Sequence, residues 1–555
     1  MSRIPQILSR GSELAATNWV FWPMLVLLVG VVAVFGPVLT SDGPSHLAMA
    51  HFMLVAGDPA WPMLNRVYEL NLVPSPNALG HFLMAGLMLI VPPLVAEQIL
   101  QILCLISVIL AARLLLLRLA PDSGWIALFF FPVALERMFY LGLYNFCLSV
   151  TGCILCIWAY LRLRDRMSLA NGAVLAGMAI VTLASQASGW LEAGLAIGTM
   201  AVTESLLQLR ADETKRGFLR LPMAALASLV PSALLFMLFA LWAPGDHHVT
   251  YGPSPLYRLM AVLRGDAFAP IGRSTAFASL IMGLALLGFF VAGGIALSSA
   301  KDPADASRRR LRFATCMLPL SFLGFALIIP DEAGGGWTHS ERAQVFPYIG
   351  LALSCAMLPV GRGAKTVAAA VAAAGGLVMI GMAFWVQAWD VPEAVYEFNE
   401  ADAWIGPHCT VAPVLTQFKL DPENTARLYY HPLFHIASRF ELRADRPVLF
   451  SYVARLPIYP VMFRPDADPQ RLLYRWTPSQ RDTRVNKIDI AGFEAASRIP
   501  VDYVLLWDFP GPDQPGPYHD IREAVTSARY HLVHRSSGGR MELYQRPGPE
   551  GCAKP

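Results

Sequence analysis

The 555-residue chain is 55% hydrophobic and only 15% charged, with a formal net charge of +3. Soluble globular chains carry about a quarter charged residues, so this composition excludes an ordinary water-soluble enzyme and indicates an integral membrane protein. The small net charge gives no support to nucleic-acid binding. Apolar runs separated by short loops continue to residue 388, after which the sequence turns polar and proline-punctuated, with strand-like segments. The expected fold class is mainly α: a polytopic membrane helical bundle over 1–388, then a small extracytoplasmic α/β domain over 389–555.

In chain order, Arg3 and Arg10 precede the apolar run Val20 to Leu39, which is longer than a signal-peptide core and reads as a retained first helix. Runs of this length mark spans, and about eleven are expected. They cover 20–40, 95–118, 123–136, 140–161, 168–186, 188–208, 219–243, 274–299, 313–330, 343–361 and 366–388. Ala78 to Val91 is too short to cross and is assigned to the first external loop, 41–94, as a juxtamembrane element.

Basic loops stay cytoplasmic. With the N-terminus inside, Arg113 and Arg118, Arg162 to Arg166, Arg210 to Arg220, Lys301 to Arg312, and Arg362 with Lys365 all fall on the cytoplasmic side. The same assignment sends all twelve histidines outward. It places the chain in the inner (plasma) membrane with its C-terminal domain on the periplasmic or extracellular side.

The outer face then carries the chemistry. Ser41-Asp42-Gly43-Pro44-Ser45-His46 follows directly on the first span, and ionisable groups at such a boundary are functional candidates. Two readings stand side by side: a polar helix cap, or an active site. Pro44 to Ala56, holding His46 and His51, reads as an amphipathic helix on the membrane surface. Glu136-Arg137 closes the third span. The loop Asp331 to Arg342 holds a triple glycine, His339 and the pair Glu341-Arg342; the glycines permit close backbone approach to a ligand, and Arg342 offers a fork for phosphate. The bland reading of Glu341 and Arg342 is a solvated pair. Between Pro244 and Ser274, Leu256 to Leu263 reads as a second surface helix, a candidate rim for a lipid access groove, while His247 and His248 read as exposed. There is no Gly-x-x-x-x-Gly-Lys loop, no Gly-x-Ser-x-Gly elbow and no His-Glu-x-x-His helix, which removes most support for ATP-driven transport and for familiar hydrolases.

This layout resembles the GT-C class of polytopic glycosyltransferases, which includes protein O-mannosyltransferases and the aminoarabinose transferase of lipid A. Asp42 matches the essential acid after the first span, and Glu136 the second external acid. The chain departs from the pattern in having Gly43 where relatives often carry a second acid, and glutamate in place of aspartate at 136. The resemblance implies transfer of a sugar from a polyprenyl-phosphate donor to a glycan, lipid or protein acceptor. It makes Asp42 the general base and Glu136 a second catalytic acid that orients the acceptor or helps hold a divalent cation. Arg342 would bind the lipid phosphate, with His46, Arg137, His339 and Glu341 as further substrate contacts. No organic cofactor is implied, and metal dependence stays open. The competing readings are a transporter or flippase for lipid-linked glycans and a non-catalytic assembly subunit.

Six of the eight cysteines fall in apolar runs and read as small hydrophobes; Cys409 and Cys552 lie in the polar region and can form a disulfide in an oxidising compartment. In that region Val411 to Leu415, Pro447 to Tyr452 and Val501 to Trp507 read as buried strands. His531 to Val533 and Arg540 to Tyr544 read as a hairpin, and Leu433 to Leu442 and Ile521 to Ala528 as helices.

Overall fold

The structure is a computed structural model and describes residues 4–73, 75–210, 218–242, 249–299, 305–334, 336–416, 431–476, 485–509 and 517–548. Helix predominates, as the apolar runs require. After α1 (Ile4–Phe35) come α2 (Gly43–Val55), α3 (Pro62–Val67), strand β1 (Tyr68–Leu70) and α4 (Leu79–Met88). The bundle continues with α5 (Pro93–Leu119), α6 (Phe130–Ala134), α7 (Arg137–Tyr140), α8 (Tyr144–Asp165), α9 (Leu169–Ser185), α10 (Ala187–Arg210) and α11 (Arg220–Trp242). It closes with α12 (Pro255–Arg264), α13 (Gly272–Ser299), α14 (Ala306–Cys316), α15 (Leu318–Ile328), α16 (His339–Ala343), α17 (Val345–Met357) and α18 (Arg362–Trp385).

Among the described residues, seven helical segments are long and apolar enough to cross a membrane: Asn18–Phe35, Pro93–Leu119, Tyr144–Asp165, Arg220–Trp242, Gly272–Ser298, Ala306–Ile328 and Arg362–Ala403. The other expected spans differ for separate reasons. The stretch 123–136 is a 3-10 turn, Gly124–Phe129, followed by the five-residue α6. Helices α9 and α17 are only 17 and 13 residues long, and α10 carries Glu192 and Glu204.

Polar contacts sort the helix ends onto two faces. Arg118 pairs with Asp165 at 2.7 Å, Arg164 with Glu204 at 2.7 Å, and Lys365 with Asp122 at 2.6 Å. Arg164 also donates to the Ser307 carbonyl at 3.1 Å. These bonds gather the segments that hold the basic clusters at one end of the bundle. At the other end Ser41 N–H donates to Tyr140 O, Ala78 N–H to Ala184 O, and Thr250 N–H to Glu332 O.

One expectation for the first loop changes and one for the loop after Pro244 holds. Helix α2 is not an amphipathic surface helix, because Gly43 to Ala50 are buried on every side. It lies between the bundle and the C-terminal region, touching α4, α5 and the 3-10 helix Ile436–Leu442. The surface helix after Pro244 does form as α12: Arg258 is buried and donates to Pro253 O and Ala326 O, while Leu256, Met260 and Leu263 are exposed. His247 and His248 lie outside the described residues.

Helix α18 runs through a π-helical turn, Val386–Asp390, into α19 (Val391–Asn399), so the junction expected near 389 lies within continuous helix. Beyond it are β2 (Val411–Leu415), β3 (Val461–Phe463), α20 (Pro469–Leu472), β4 (Tyr474–Trp476), β5 (Val485–Ile488), α21 (Ile490–Ser497), β6 (Tyr503–Trp507), α22 (Pro517–Ser527), β7 (His531–Arg535) and β8 (Met541–Gln545). The main sheet runs β2-β6-β8-β7, with β2 and β6 parallel and the other pairs antiparallel. Both β2 and β6 are buried along their whole length, as their unbroken apolar sequences demand. Pro447 to Tyr452 contributes only a bridge from Val448 to Val411 rather than a strand, and the expected helix 433–442 forms as a 3-10 helix over Ile436–Leu442.

The first loop and the C-terminal region interlock. Strands β1 and β3 pair antiparallel, Tyr68 opposite Phe463. Asp445 accepts from Met63 N–H at 2.8 Å and Leu64 N–H at 2.7 Å, satisfying the open N-terminus of α3 from across the interface. Cys409 is disulfide-bonded; Cys552, its expected partner, lies outside the described residues.

Candidate active site

The Asp42 segment is held by its own backbone. Ser41 N–H donates to Tyr140 O at 3.1 Å and Asp42 N–H to Leu141 O at 2.9 Å. Gly142 follows with φ +84°, and a Cβ there would stand 2.5 Å from Gly43 N, so only glycine permits this approach. Gly43 is equally constrained. A Cβ would fall 2.2 Å from Thr40 Oγ1, 2.4 Å from the Tyr144 hydroxyl and 2.5 Å from Glu97 Oε1. No side chain of any kind fits at position 43, because its space is filled by Thr40, Tyr144 and Glu97. Gly43→Ala is expected to cost about 1–3 kcal/mol, as overpacking does, and to lower the melting temperature in detergent; an unchanged melting temperature would contradict the packing.

Asp42 occupies the N-cap position of α2, but its carboxylate makes no capping bond. This removes the helix-cap reading. Instead Asp42 Oδ1 lies 3.2 Å from His435 Nδ1. His435 Nε2 accepts from the Tyr452 N–H at 3.4 Å, so its proton sits on Nδ1, shared between Asp42 Oδ1 and the Ser41 carbonyl, also at 3.2 Å. The Tyr452 ring lies parallel to the imidazole, with centroids 6.0 Å apart. One turn along α2, His46 Nδ1 hydrogen-bonds His81 Nε2 at 3.0 Å. Burial, then the His81 and His435 rings, lower the His46 pKa well below the usual histidine range. His46 is therefore neutral near pH 7, a hydrogen-bonding group and no source of positive charge.

Arg342 is the cation of the site. It is 7% exposed, and among the described residues its guanidinium has no hydrogen-bond or ion-pair partner; its Nε is buried and unsatisfied. Burial lowers its pKa, opposed by Tyr459, Tyr452, Asp42 and Glu136. All four groups are thus within electrostatic reach of Arg342, which unites residues from the first loop, the α6–α7 junction, α16 and the C-terminal region.

Glu136 caps the short α7, with Oε2 accepting from Met138 N–H at 2.9 Å, while Oε1 is buried without a partner. Burial pushes its pKa up to about 8 against the opposing pull of the Met138 amide and Arg342. A carboxyl held neutral at pH 7 is a poor cation ligand and a serviceable hydrogen-bond donor. Among the described residues no cluster of three or more His, Cys, Asp or Glu side chains is arranged to hold a metal. Because the folded pKa lies above the unfolded value, Glu136 contributes its full stability below about pH 4.5, and that contribution falls as pH rises toward 8. Glu136→Gln keeps the neutral shape. Its melting temperature should gain on that of wild type progressively from pH 5 to 8.5, and a flat difference would refute the raised pKa.

The remaining expected contacts do other work. Arg137 and Glu341 pair with each other at 3.0 Å, each about one-third exposed, at the edge of the cluster. His339 directs Nε2–H at the Ala333 carbonyl, 3.3 Å away, and packs against Gly336. Burial, aided by Arg342, lowers its pKa to about 4, so it fixes the loop rather than offering charge to a phosphate. That loop is pinned rather than loose: Asp331 accepts from the Ser340 hydroxyl, and Glu332 pairs with Thr250. Trp337, exposed on its tip, lies over Tyr452 with centroids 5.6 Å apart. Asp42, His46, Glu136 and His435 are all under 8% exposed, so the cluster is closed, with Trp337 and Tyr452 at its cover.

Sequence reasoning missed His435, Tyr452 and Tyr459, which carried no local signal because their partners lie hundreds of residues away. It also passed over Glu97, although an acid inside an expected span is a signal in itself. Comparison with protein-family models and with curated proteins found no match to the chain.

Proposed function

We propose that this chain is a membrane glycosyltransferase that moves a sugar from a polyprenyl-phosphate-linked donor to an acceptor hydroxyl at the external membrane face. The observation that carries the reading is the unpartnered, buried Arg342 guanidinium within electrostatic reach of the Asp42 carboxylate. A desolvated cation without an acceptor is costly, and an anionic ligand offsets that cost. Asp42 takes the proton of the acceptor hydroxyl; the acceptor oxygen bonds to the anomeric carbon as the bond to the phosphate oxygen breaks; the electron pair leaves with the lipid phosphate, which Arg342 stabilises. The His435 Nδ1–H bond fixes the orientation of the carboxylate. Neutral Glu136 donates a hydrogen bond to the donor or acceptor.

The proposed topology has eleven traverses, the N-terminus inside and the C-terminal region outside in the periplasmic or extracellular space. The three ion pairs that gather the basic segments on one face support it. So does the Cys409 disulfide, which belongs to an oxidising compartment. Pairing of Glu204 with Arg164 at a helix end leaves Glu192 in α10 as the residue on which a transporter reading would rest, since both its carboxylate oxygens are buried without partners. The deciding experiment reconstitutes the protein with membrane lipid extract and measures acceptor-dependent release of polyprenyl phosphate. Absence of release with every extract fraction, alongside translocation of labelled lipid-linked glycan, would replace the enzyme by the transporter.

A further inference from the structure

We infer that His46 binds an uncharged sugar oxygen through its Nε2–H, and that Asn145 and His81 are the positioning residues that place the proton there; this rests on the transferase reading above. The relay starts at an amide with one orientation. Asn145 Oδ1 accepts from Gly80 N–H at 2.6 Å, and its Nδ2 donates to the Asn77 carbonyl at 2.7 Å. A Cβ on residue 80 would stand 2.8 Å from Asn145 Oδ1, so glycine there is what lets the amide in. Asn145 Nδ2 has a second N–H, and His81 Nδ1 lies 3.4 Å away; an N–H can meet only a lone pair. The Asn77 carbonyl also adjoins the His81 ring, and its donor is the Asn145 amide. His81 thus carries its proton on Nε2 and donates it to His46 Nδ1 at 3.0 Å. That leaves the proton of His46 on Nε2. Both imidazoles are neutral, since burial lowers the His81 pKa to about 4 and takes His46 well below its ordinary value.

His46 Nε2 is the open end of this relay. Among the described residues it has no partner, yet it is not sealed in as His51 Nδ1 and Glu97 Oε2 are; the residue keeps 4% of its surface exposed. Helix geometry sets its place beside the base. Asp42 has helical φ and ψ, and His46 N–H donates to the Asp42 carbonyl at 2.9 Å. Side chains one turn apart are neighbours, with Cβ atoms about 5–6 Å from each other. Tyr459 covers the pair of imidazoles, its ring centroid 5.3 Å from His46 and 5.7 Å from His81. A ligand whose hydroxyl reaches Asp42 therefore brings its next oxygens to His46 Nε2–H. A neutral donor offers no charge to a phosphate, which stays with Arg342; it suits a hydroxyl or ring oxygen of a sugar. The acceptor proton still goes to Asp42.

Two measurements test this, and the first needs no substrate. Full-length protein in detergent, its histidine rings labelled with the heavy nitrogen isotope, would be examined by NMR for the protonated nitrogen of each ring; the His46 signals are those lost in His46→Gln. His46 should be protonated on Nε2 in the wild type and on Nδ1 in Asn145→Asp, because a carboxylate at 145 accepts from His81 Nδ1 and reverses the relay. The second is acceptor-dependent release of polyprenyl phosphate from proteoliposomes, which Asn145→Asp should lower by about ten- to a hundredfold, the effect of one lost hydrogen bond that leaves a polar group unpaired. A rise in the half-saturating amount of lipid extract assigns the oxygen to the donor sugar, and a rise in that of the acceptor fraction assigns it to the acceptor. His46→Gln keeps a neutral N–H donor whatever stands at 145, so Asn145→Asp should lower release in that background by no more than about twofold further. A merely structural Asn145 would give its full loss in both backgrounds. That result, or His46 protonated on Nδ1 in the wild type, would overturn the relay and leave the transferase reading standing; the wild-type spectrum decides even should Asn145→Asp melt early. No release by the wild type would overturn the transferase reading and the sugar assignment together.

Discussion

Asp42→Asn is expected to reduce sugar transfer by about a hundred- to ten-thousand-fold, the range associated with losing a positioned general base, with little change in folding. The amide is nearly isosteric, and the segment is held by backbone bonds to Tyr140 and Leu141 that the substitution does not touch. No helix cap is lost, because the carboxylate makes none. The amide oxygen of the variant can still accept from His435 Nδ1–H, so the imidazole keeps its place. The measurement is release of polyprenyl phosphate from proteoliposomes under saturating lipid extract, with melting temperatures of both proteins in parallel. Equal turnover by a well-folded Asp42→Asn protein would remove Asp42 as the base.

Arg342→Gln should produce the second large effect, a loss of about a hundred- to thousandfold in kcat/KM, the scale of removing one charge-stabilising group from a dry site. Its stability should move the other way. In the ligand-free protein Arg342 is an unpaired, buried cation, and substituting a neutral side chain relieves its desolvation. A variant that melts no lower than wild type yet transfers poorly is thus the expected signature, one that a purely structural arginine would not give. Arg342→Lys keeps the charge but loses the planar fork and should recover only part of the activity. Full activity in Arg342→Gln would sever this residue from the reaction.

Much of the architecture was legible in sequence because hydrophobic run length and the placement of Arg and Lys are physical constraints of the bilayer itself. The basic clusters predicted to share one face are joined there by Arg118–Asp165, Arg164–Glu204 and Lys365–Asp122. Run length does not report regularity: 123–136 is apolar and buried among other helices, yet it is a 3-10 turn followed by a five-residue helix. Helix α2 misled in a related way. Its polar residues suggested a wet face, yet Ser45 and His46 are turned to Ser451 and His81.

The site was legible as a place more than as a set of contacts. Asp42, Glu136 and Arg342 were each visible as charge at the end of an apolar run, and the first two act electrostatically on the third. His435 could not be read, because its meaning depends on a hydrogen bond to a residue 393 positions earlier in the chain. Gly43 was legible only as a departure from a pattern; the crowding of Thr40, Tyr144 and Glu97 around it, which leaves no room for a side chain, was not.

The interlock between the first loop and the C-terminal region also sets the order of biogenesis. Ser45 waits for Ser451, 406 residues later in the chain, and β1 waits for β3. At ordinary rates of synthesis that interval is about 20 to 80 s. During it α2, with its imidazole and serine groups, lacks the C-terminal residues that enclose it in the folded chain. Until residue 463 has been made, neither the Ser45–Ser451 bond nor the β1–β3 pairing can close over the first loop.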